Sequence, residues 1–322
     1  MNKFKMSSDL QRVIKSLVKP QYSGTTLLTY LSERFNYNTL AEWQEIINDA
    51  RIKVNGVQGN SDQILNERDT LEYYHIDHPE PEVDFNYSVI AKTDSFMVVN
   101  KPGNLPVHPA GPFFHHTLWA ALKKEGFEPR FINRLDRETS GLVIVALNKE
   151  AASKLGKQIQ SKSVYKEYLA IVEGRFEGQL DAKGYLEKDS QSEIEKKLIF
   201  HADEDFAQYG KNGVDSSFEL LESHGHLSLL RCIIRTGKMH QIRATLKSLG
   251  FPLVGDKIYG LDENFYLKFI HKQLEKADYQ KMRLQRQALH AHVLRFKDPE
   301  TAEDLEFICE LPEDIKKVLK EQ

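Results

Sequence analysis

The chain is poor in cysteine: Cys232 and Cys309 are the only two in 322 residues. That excludes a disulfide framework and a zinc site built on cysteine pairs. It has no long apolar run. The longest, Gly141 to Leu147, is far short of the roughly 20 residues that a bilayer-crossing helix needs. The first ten residues, MNKFKMSSDL, hold no apolar stretch of the kind a secretory leader carries, so a cytoplasmic location and no membrane partner are expected. Phosphate-cradling glycine loops, the dinucleotide fingerprint and the nucleophile elbow are all missing. Nucleotide hydrolysis, nicotinamide chemistry and serine-hydrolase chemistry therefore have no anchor. Nor does one sign of charge dominate: 44 Lys and Arg face 47 Asp and Glu, a net charge of −3.

The local distribution is less even. Lys3, Lys5, Arg12, Lys15 and Lys19 face Asp9 alone in residues 1–20, and Lys268, Lys272, Lys276, Lys281, Arg283 and Arg286 face Glu275 and Asp278 between Leu267 and Gln287. Such segments suit phosphate contacts or solvated helix faces equally.

Two regions of different texture follow one another. In residues 23–75, Leu27, Leu28, Tyr30 and Leu31 have helical spacing behind Thr25-Thr26, and Trp43, Ile46 and Ile47 share a face in a second helix over Ala41 to Ala50. Ile52, Val54 and Val57 surround Asn55-Gly56, a hairpin signal, and Asp69 to Tyr74 alternates as a strand. The run His78-Pro79-Glu80-Pro81-Glu82 reads as a stiff linker. The division is therefore a small N-terminal α/β domain over 1–78, a linker over 79–86 and a catalytic-sized domain over 87–322.

In the larger part, strands are predicted at Ser95–Asn100, Gly141–Leu147, Tyr165–Val172, Leu227–Arg235, Leu289–Phe296 and Leu305–Cys309. Helices are predicted at Thr117–Lys124, Lys149–Gln160, Lys238–Ser248 and from Glu313. Strands often follow strands without crossover helices, which favours an α+β core on a mixed, largely antiparallel sheet.

The candidate chemistry lies in three blocks: Asn133-Arg134-Leu135-Asp136-Arg137 with Thr139-Ser140-Gly141; Lys166 to Gly174; and Arg235 to Arg243, continued by Gly255-Asp256-Lys257-Ile258-Tyr259-Gly260. Taken singly, an Asp among arginines is most often a salt bridge and a strand tyrosine is most often core. His290-x-His292 and the other histidine groups have spacing that a metal can use, but no cysteine or matched carboxylate accompanies them, so no metal is expected.

Together the blocks resemble the RluA-type RNA pseudouridine synthases, over Asp84 to about Cys309. NRLDRETSG is similar to that family's His-Arg-Leu-Asp motif, KEYLAIVEG to its Lys-x-Tyr block and TGKMHQIR to its Thr-Gly-Arg-x-His-Gln-Ile-Arg block. GDKIYG, LHA and the lead-in VVNKPGNLPVHPAG follow the same pattern. Asn133 stands where the family usually has His, and Lys238 where it usually has Arg; lysine lacks the planar fork of arginine.

The resemblance implies a pseudouridine-synthase-like core and an isomerase of ribosomal or transfer RNA that needs no cofactor and works as a monomer. It implies Asp136 as the catalytic carboxylate, Tyr168 as base-stacking and proton-removing residue, and Arg243 as counter-ion. Arg134, Arg137, Lys166, Lys238, His240 and Gln241 are the RNA-binding candidates. The N-terminal part is similar to a small RNA-binding domain shared with a ribosomal small-subunit protein. Residues 1–80 carry nine basic and eleven acidic side chains, so a protein-interaction role for this part stays open. Two further alternatives are a non-catalytic RNA-binding or assembly factor, and a glycosidase using Glu138 as a second acid.

Overall fold

The computed structural model describes residues 12–35, 38–75 and 79–320. Lys3, Lys5 and Asp9 of the basic N-terminal segment, and His78 at the head of the linker, lie outside the described residues. The chain divides into two compact units, Met1–Pro81 and Glu82–Gln322.

The first unit is built from β1 (Val13–Leu17), α1 (Leu27–Arg34), α2 (Leu40–Asn48), β2 (Ile52–Val54), β3 (Val57–Gln58) and β4 (Thr70–Tyr74), with its sheet in the order β1-β4-β2-β3. α2 starts at Thr39, whose hydroxyl accepts from Glu42 N–H while the Glu42 carboxylate takes Thr39 N–H, a capping box that satisfies two backbone donors at once. Trp43, Leu27, Ile52 and Leu65 are fully buried at its centre. The Asn55-Gly56 turn has both residues at positive φ (52° and 82°), as a tight hairpin requires.

The second unit opens with β5 (Ser88–Lys92), β6 (Phe96–Lys101), α3 (Leu118–Lys124), β7 (Arg130–Phe131), β8 (Ser140–Ala146), α4 (Lys149–Gln160) and β9 (Tyr165–Glu173). It continues with β10 (Gln179–Lys188), β11 (Leu198–Ala202), β12 (Gly213–His224), β13 (Leu227–Ile234) and α5 (Gln241–Ser248). α6 (Asn264–Ile270), α7 (Lys276–Met282), β14 (Leu289–Lys297), β15 (Asp304–Ile308) and α8 (Glu313–Lys320) complete it. One sheet runs β11-β10-β12-β13-β9-β14-β8-β6-β5, with β15 on β14 and β7 on β8. Every pairing is antiparallel except β14 with β8. The largely antiparallel α+β core expected from the sequence is the one found.

Strand alternation sends β9 side chains to opposite faces. Tyr168, Ala170 and Val172 enter one apolar cluster with Leu230, Ile242 and Tyr259, while Leu169 and Ile171 pack with Ile315 and Val318 of α8. The lone parallel contact pairs His290 with Ser140 and Ala291 with Gly141. Gly141 has φ of 110°, and a Cβ there would lie 2.2 Å from the Ala291 carbonyl oxygen; only glycine permits both the conformation and the approach. The glycine of the Thr-Ser-Gly turn thus seats the Asp136 loop against a strand from the far end of the chain.

The basic segment after Leu267 is largely neutralised: Lys268 pairs with Asp278, Arg283 with Glu173 and Arg286 with Asp314. No helix among the described residues is long and apolar enough to cross a membrane.

Candidate active site

Asp136 sits in the loop between β7 and β8, and the loop is fixed from several sides. Thr139 N–H donates to Asp136 O at 3.2 Å, closing a turn, and the Arg137 carbonyl accepts from Leu105 N–H at 3.0 Å and from Lys101 Nζ at 3.2 Å. Lys101 is fully buried, also donates to Pro102 O at 2.8 Å, and has no carboxylate bonded to it among the described residues. Burial, with the neighbouring Arg286 charge, brings its ammonium down to about 7. At the head of the loop, Asn133 continues the β7–β8 ladder with its side chain: Oδ1 accepts from Ile144 N–H at 2.8 Å and Nδ2 donates to Leu142 O at 3.2 Å. An amide can imitate a peptide group in this way because it carries both donor and acceptor. This accounts structurally for the Asn that the family resemblance left unexplained.

The Asp136 carboxylate meets Arg243 of α5. Arg243 Nη1 donates to Asp136 Oδ2 at 2.6 Å, while Nε and Nη2 grip Asp256 at 2.6 and 2.9 Å. Asp256 is fully buried and accepts in addition from Ile258 N–H and Tyr259 N–H, at 2.9 and 3.0 Å. Gln287 Nε2 binds the Thr139 hydroxyl and reaches Asp136 Oδ2 at 3.5 Å. The Asp136 side chain is 32% exposed, against 7% for Arg243; the carboxylate faces an opening and its counter-ion does not. Burial alone would raise the Asp136 carboxyl. The Arg243 charge, with hydrogen bonds from Arg243 and Gln287, outweighs it and holds the group below the ordinary carboxylate range. The carboxylate is ionised, oriented and reachable from outside.

Tyr168 is 8% exposed. Its hydroxyl makes no hydrogen bond among the described residues, and burial followed by the Asp136 charge pushes its proton affinity up. Phenol and carboxylate share one electrostatic environment although they lie on different elements.

The remaining candidates divide. Arg134 is exposed at the head of the loop. Lys166, on the same strand and face as Tyr168, is 7% exposed with only the Thr236 carbonyl, 3.4 Å away, as acceptor; burial lowers it to about 8. Lys238 and His240 line the turn before α5. Arg137 is partly committed, bonded to Glu138 at 2.9 Å and lying over the Phe113 and Phe269 rings at 5.5 and 5.1 Å.

Gln241 requires a correction. It is 3% exposed, its Oε1 accepts from the Thr236 hydroxyl and Lys238 N–H, and its Nε2 donates to Asp215 O and Ser216 Oγ. Its amide shapes the turn and is not presented to RNA. Glu138 is likewise unsuited to be a second acid, since Lys257 binds both its oxygens, at 2.9 and 3.0 Å, and Arg137 binds one. His290 is completely buried between Ser140 Oγ and Cys309 O, and His292 turns to the same carbonyl; both are structural.

Comparison with known proteins agrees with this geometry. Residues 95–248 match the family model described as RNA pseudouridylate synthase. An uncharacterised RNA pseudouridine synthase of Chlorobaculum parvum is 31% identical over 306 residues, covering 90% of this chain and 92% of its own. The chain belongs to the RNA pseudouridine synthases. A ribosomal large subunit pseudouridine synthase D of Zymomonas mobilis, 31% identical over 76% of this chain and 74% of its own, places it in the RluA-type branch. The solved human RNA pseudouridylate synthase domain containing 1 is similar with a TM-score of 0.55 and 27% identity, over 72% of this chain and 86% of that one.

This pseudouridine synthase is thus an isomerase that converts uridine to pseudouridine in RNA. Sequence reasoning missed three parts of its site. Asp256 was visible only as a motif letter, Gln287 was overlooked beside the Leu-His-Ala signature, and Lys101 appeared only within the VVNKPGNLPVHPAG lead-in. A lysine flanked by Val98-Val99-Asn100 and Pro102 was the available signal, since a cation inside an apolar strand end has to be bound internally.

Proposed function

We propose that this synthase acts on uridines of ribosomal or transfer RNA by drawing the target nucleotide out of its stack and reacting it on Asp136. The observation that carries the reading is the 2.6 Å Arg243–Asp136 contact, backed by the buried Asp256 fork, which keeps an exposed carboxylate charged and aimed. Tyr168 stacks on the uracil, worth roughly 1–3 kcal/mol. That helps offset the few kcal/mol, approximately, needed to extrude a base. Its hydroxyl, without a hydrogen-bond partner among the described residues, is free to take part in removing the C5 proton. Arg134, Lys166 and Lys238 hold RNA phosphates around the opening, with Arg137 contributing at the rim. Ribosomal RNA as substrate rests on the Zymomonas relative's name, and transfer RNA on the family resemblance. The presence of all three side chains, with Arg243 bonded to Asp136 and Tyr168 within reach of the Asp136 charge, favours an active enzyme over a non-catalytic factor on the same fold. In the same reading the enzyme works as a cytoplasmic monomer, and residues 1–78 form a small RNA-binding-like domain of their own.

Asp136→Ala is expected to abolish tritium release from RNA labelled at uridine C5 while RNA affinity stays within about twofold, because the lost interaction belongs to the transition state. An active Asp136→Ala protein would overturn the assignment.

A further inference from the structure

His240 has a hydrogen-bond pattern that fixes where its proton sits. Tyr259 is fully buried, and its hydroxyl oxygen accepts from Leu198 N–H at 3.0 Å. The hydroxyl proton then has one acceptor in range among the described residues, His240 Nδ1 at 3.0 Å. The reverse polarity would leave a buried hydroxyl proton unbonded, at a cost that folded proteins avoid. Nδ1 is therefore the acceptor, and a neutral ring in that state carries its hydrogen on Nε2.

Burial, then the adjoining Arg243 charge, holds the imidazole down to about 4, so the ring is neutral at physiological pH. Among the described residues Nε2 has no hydrogen-bond partner, and it is not one of the buried polar atoms that lack one; this N–H is reachable by solvent. The ring stands on the turn that leads into the helix whose Arg243 bonds Asp136. His240 also adopts φ of 58°, one residue ahead of the helix that carries Arg243. A non-glycine residue in that conformation costs energy and persists where the surrounding structure enforces it. The Leu198–Tyr259–His240 relay thus holds a neutral N–H donor on the turn before the helix that brings Arg243 to Asp136.

We propose that His240 Nε2–H donates a hydrogen bond to a carbonyl oxygen of the bound uracil and stabilises the charge that collects there during isomerisation. The inference rests on the reading of Asp136 as the reacting centre. Breaking the C1′–N1 bond leaves its electron pair on the uracil, shared between N1 and the two carbonyl oxygens. The pair is used when C5 bonds to C1′ in place of N1; the C5 proton then leaves, through Tyr168 in the reading above, and N1 gains a proton, so the isomer keeps every atom of uridine. A donor aimed at the oxygen acts while the charge exists, and a neutral imidazole serves as such an electrophile without first having to lose a proton. Tyr259 is a positioning residue, acting through the tautomer it sets.

The test measures single-turnover tritium release at saturating RNA, using transfer and ribosomal RNA from cells lacking this gene, with RNA affinity and melting temperature measured alongside. His240→Ala is expected to slow release by about 10²-fold with affinity little changed. His240→Gln, which retains an N–H, is expected to recover most of the rate, and Tyr259→Phe to lose part of it. Nitrogen NMR of the free enzyme is expected to show His240 protonated on Nε2. A protonated Nδ1, or a His240→Gln enzyme as slow as His240→Ala at equal melting temperature, overturns the donor. A His240→Ala defect that vanishes on RNA carrying 2′-deoxyuridine at the target moves the acceptor to the ribose and overturns the uracil assignment. An active Asp136→Ala enzyme would sink the Asp136 reading while leaving the tautomer and rescue results to stand or fall by themselves.

Discussion

Asp256 holds Arg243 through two near-parallel hydrogen bonds, of 2.6 and 2.9 Å, and leaves Nη1 as the guanidinium nitrogen turned to Asp136. One carboxylate, wholly buried, fixes the cation; the other, 32% exposed, receives it. A bidentate grip of this kind supplies direction as well as charge.

Asp256→Asn is therefore expected to affect both stability and rate. Removing the charge from a buried, hydrogen-bonded pair costs about 3–5 kcal/mol, and urea denaturation should show a loss of that order. Single-turnover tritium release should fall as well, because Nη1 is no longer aimed. A variant with wild-type stability and rate would contradict the clamp.

Arg243→Lys keeps the charge but cannot reach two carboxylates with a planar fork. In the native enzyme the Asp136 carboxyl lies below its ordinary range. Its ionised form is thus fully present above that range and is lost only as pH falls through the depressed value. Weakening the counter-ion leaves burial less opposed, so the carboxyl rises and the acid limb of the rate profile moves to higher pH. Rates measured from about pH 4 to 8 should show that displacement, together with a drop of at least about 10²-fold on the plateau.

Asn133→Ala removes both bonds by which the loop head is joined to β8, including the one that satisfies Ile144 N–H. An unsatisfied buried donor costs about 1–3 kcal/mol, and the melting temperature should fall accordingly. The effect on RNA affinity should be small, because this amide is turned toward the strand. An unchanged melting temperature would show that the ladder extension is not needed.

The sequence made legible what is local. Gly141 to Leu147 showed as a buried strand, Asn55-Gly56 as a hairpin, and the loop, strand and helix carrying Asp136, Tyr168 and Arg243 were each placed on the right element. Lys238–Ser248 was read as helix three residues too early. Lys238, Met239 and His240 form the turn that brings the His240 ring to Tyr259, and apolar spacing does not reveal a left-handed residue ahead of a helix. Gln241 was an RNA candidate through the resemblance of its block, but its partners Asp215 and Ser216 come from β12, a strand that its own surroundings do not indicate. Asp256 and Gln287 stayed invisible for the same reason. Their importance lies in pairing across the fold.

The contact between β8 and β14 also has a consequence for synthesis. Ser140 and His290 are 150 residues apart, as Asp136 and Gln287 are 151 apart. A nascent chain that has just released Arg243 already contains every side chain of the proposed reaction, yet it lacks Gln287 beside Asp136 and Ala291 beside Gly141. Long-range pairings of this kind form late, because the intervening chain has to be closed first. The Asp136 loop is therefore locked only once Gln287 and the β14 segment have left the ribosome, well after Arg243 has.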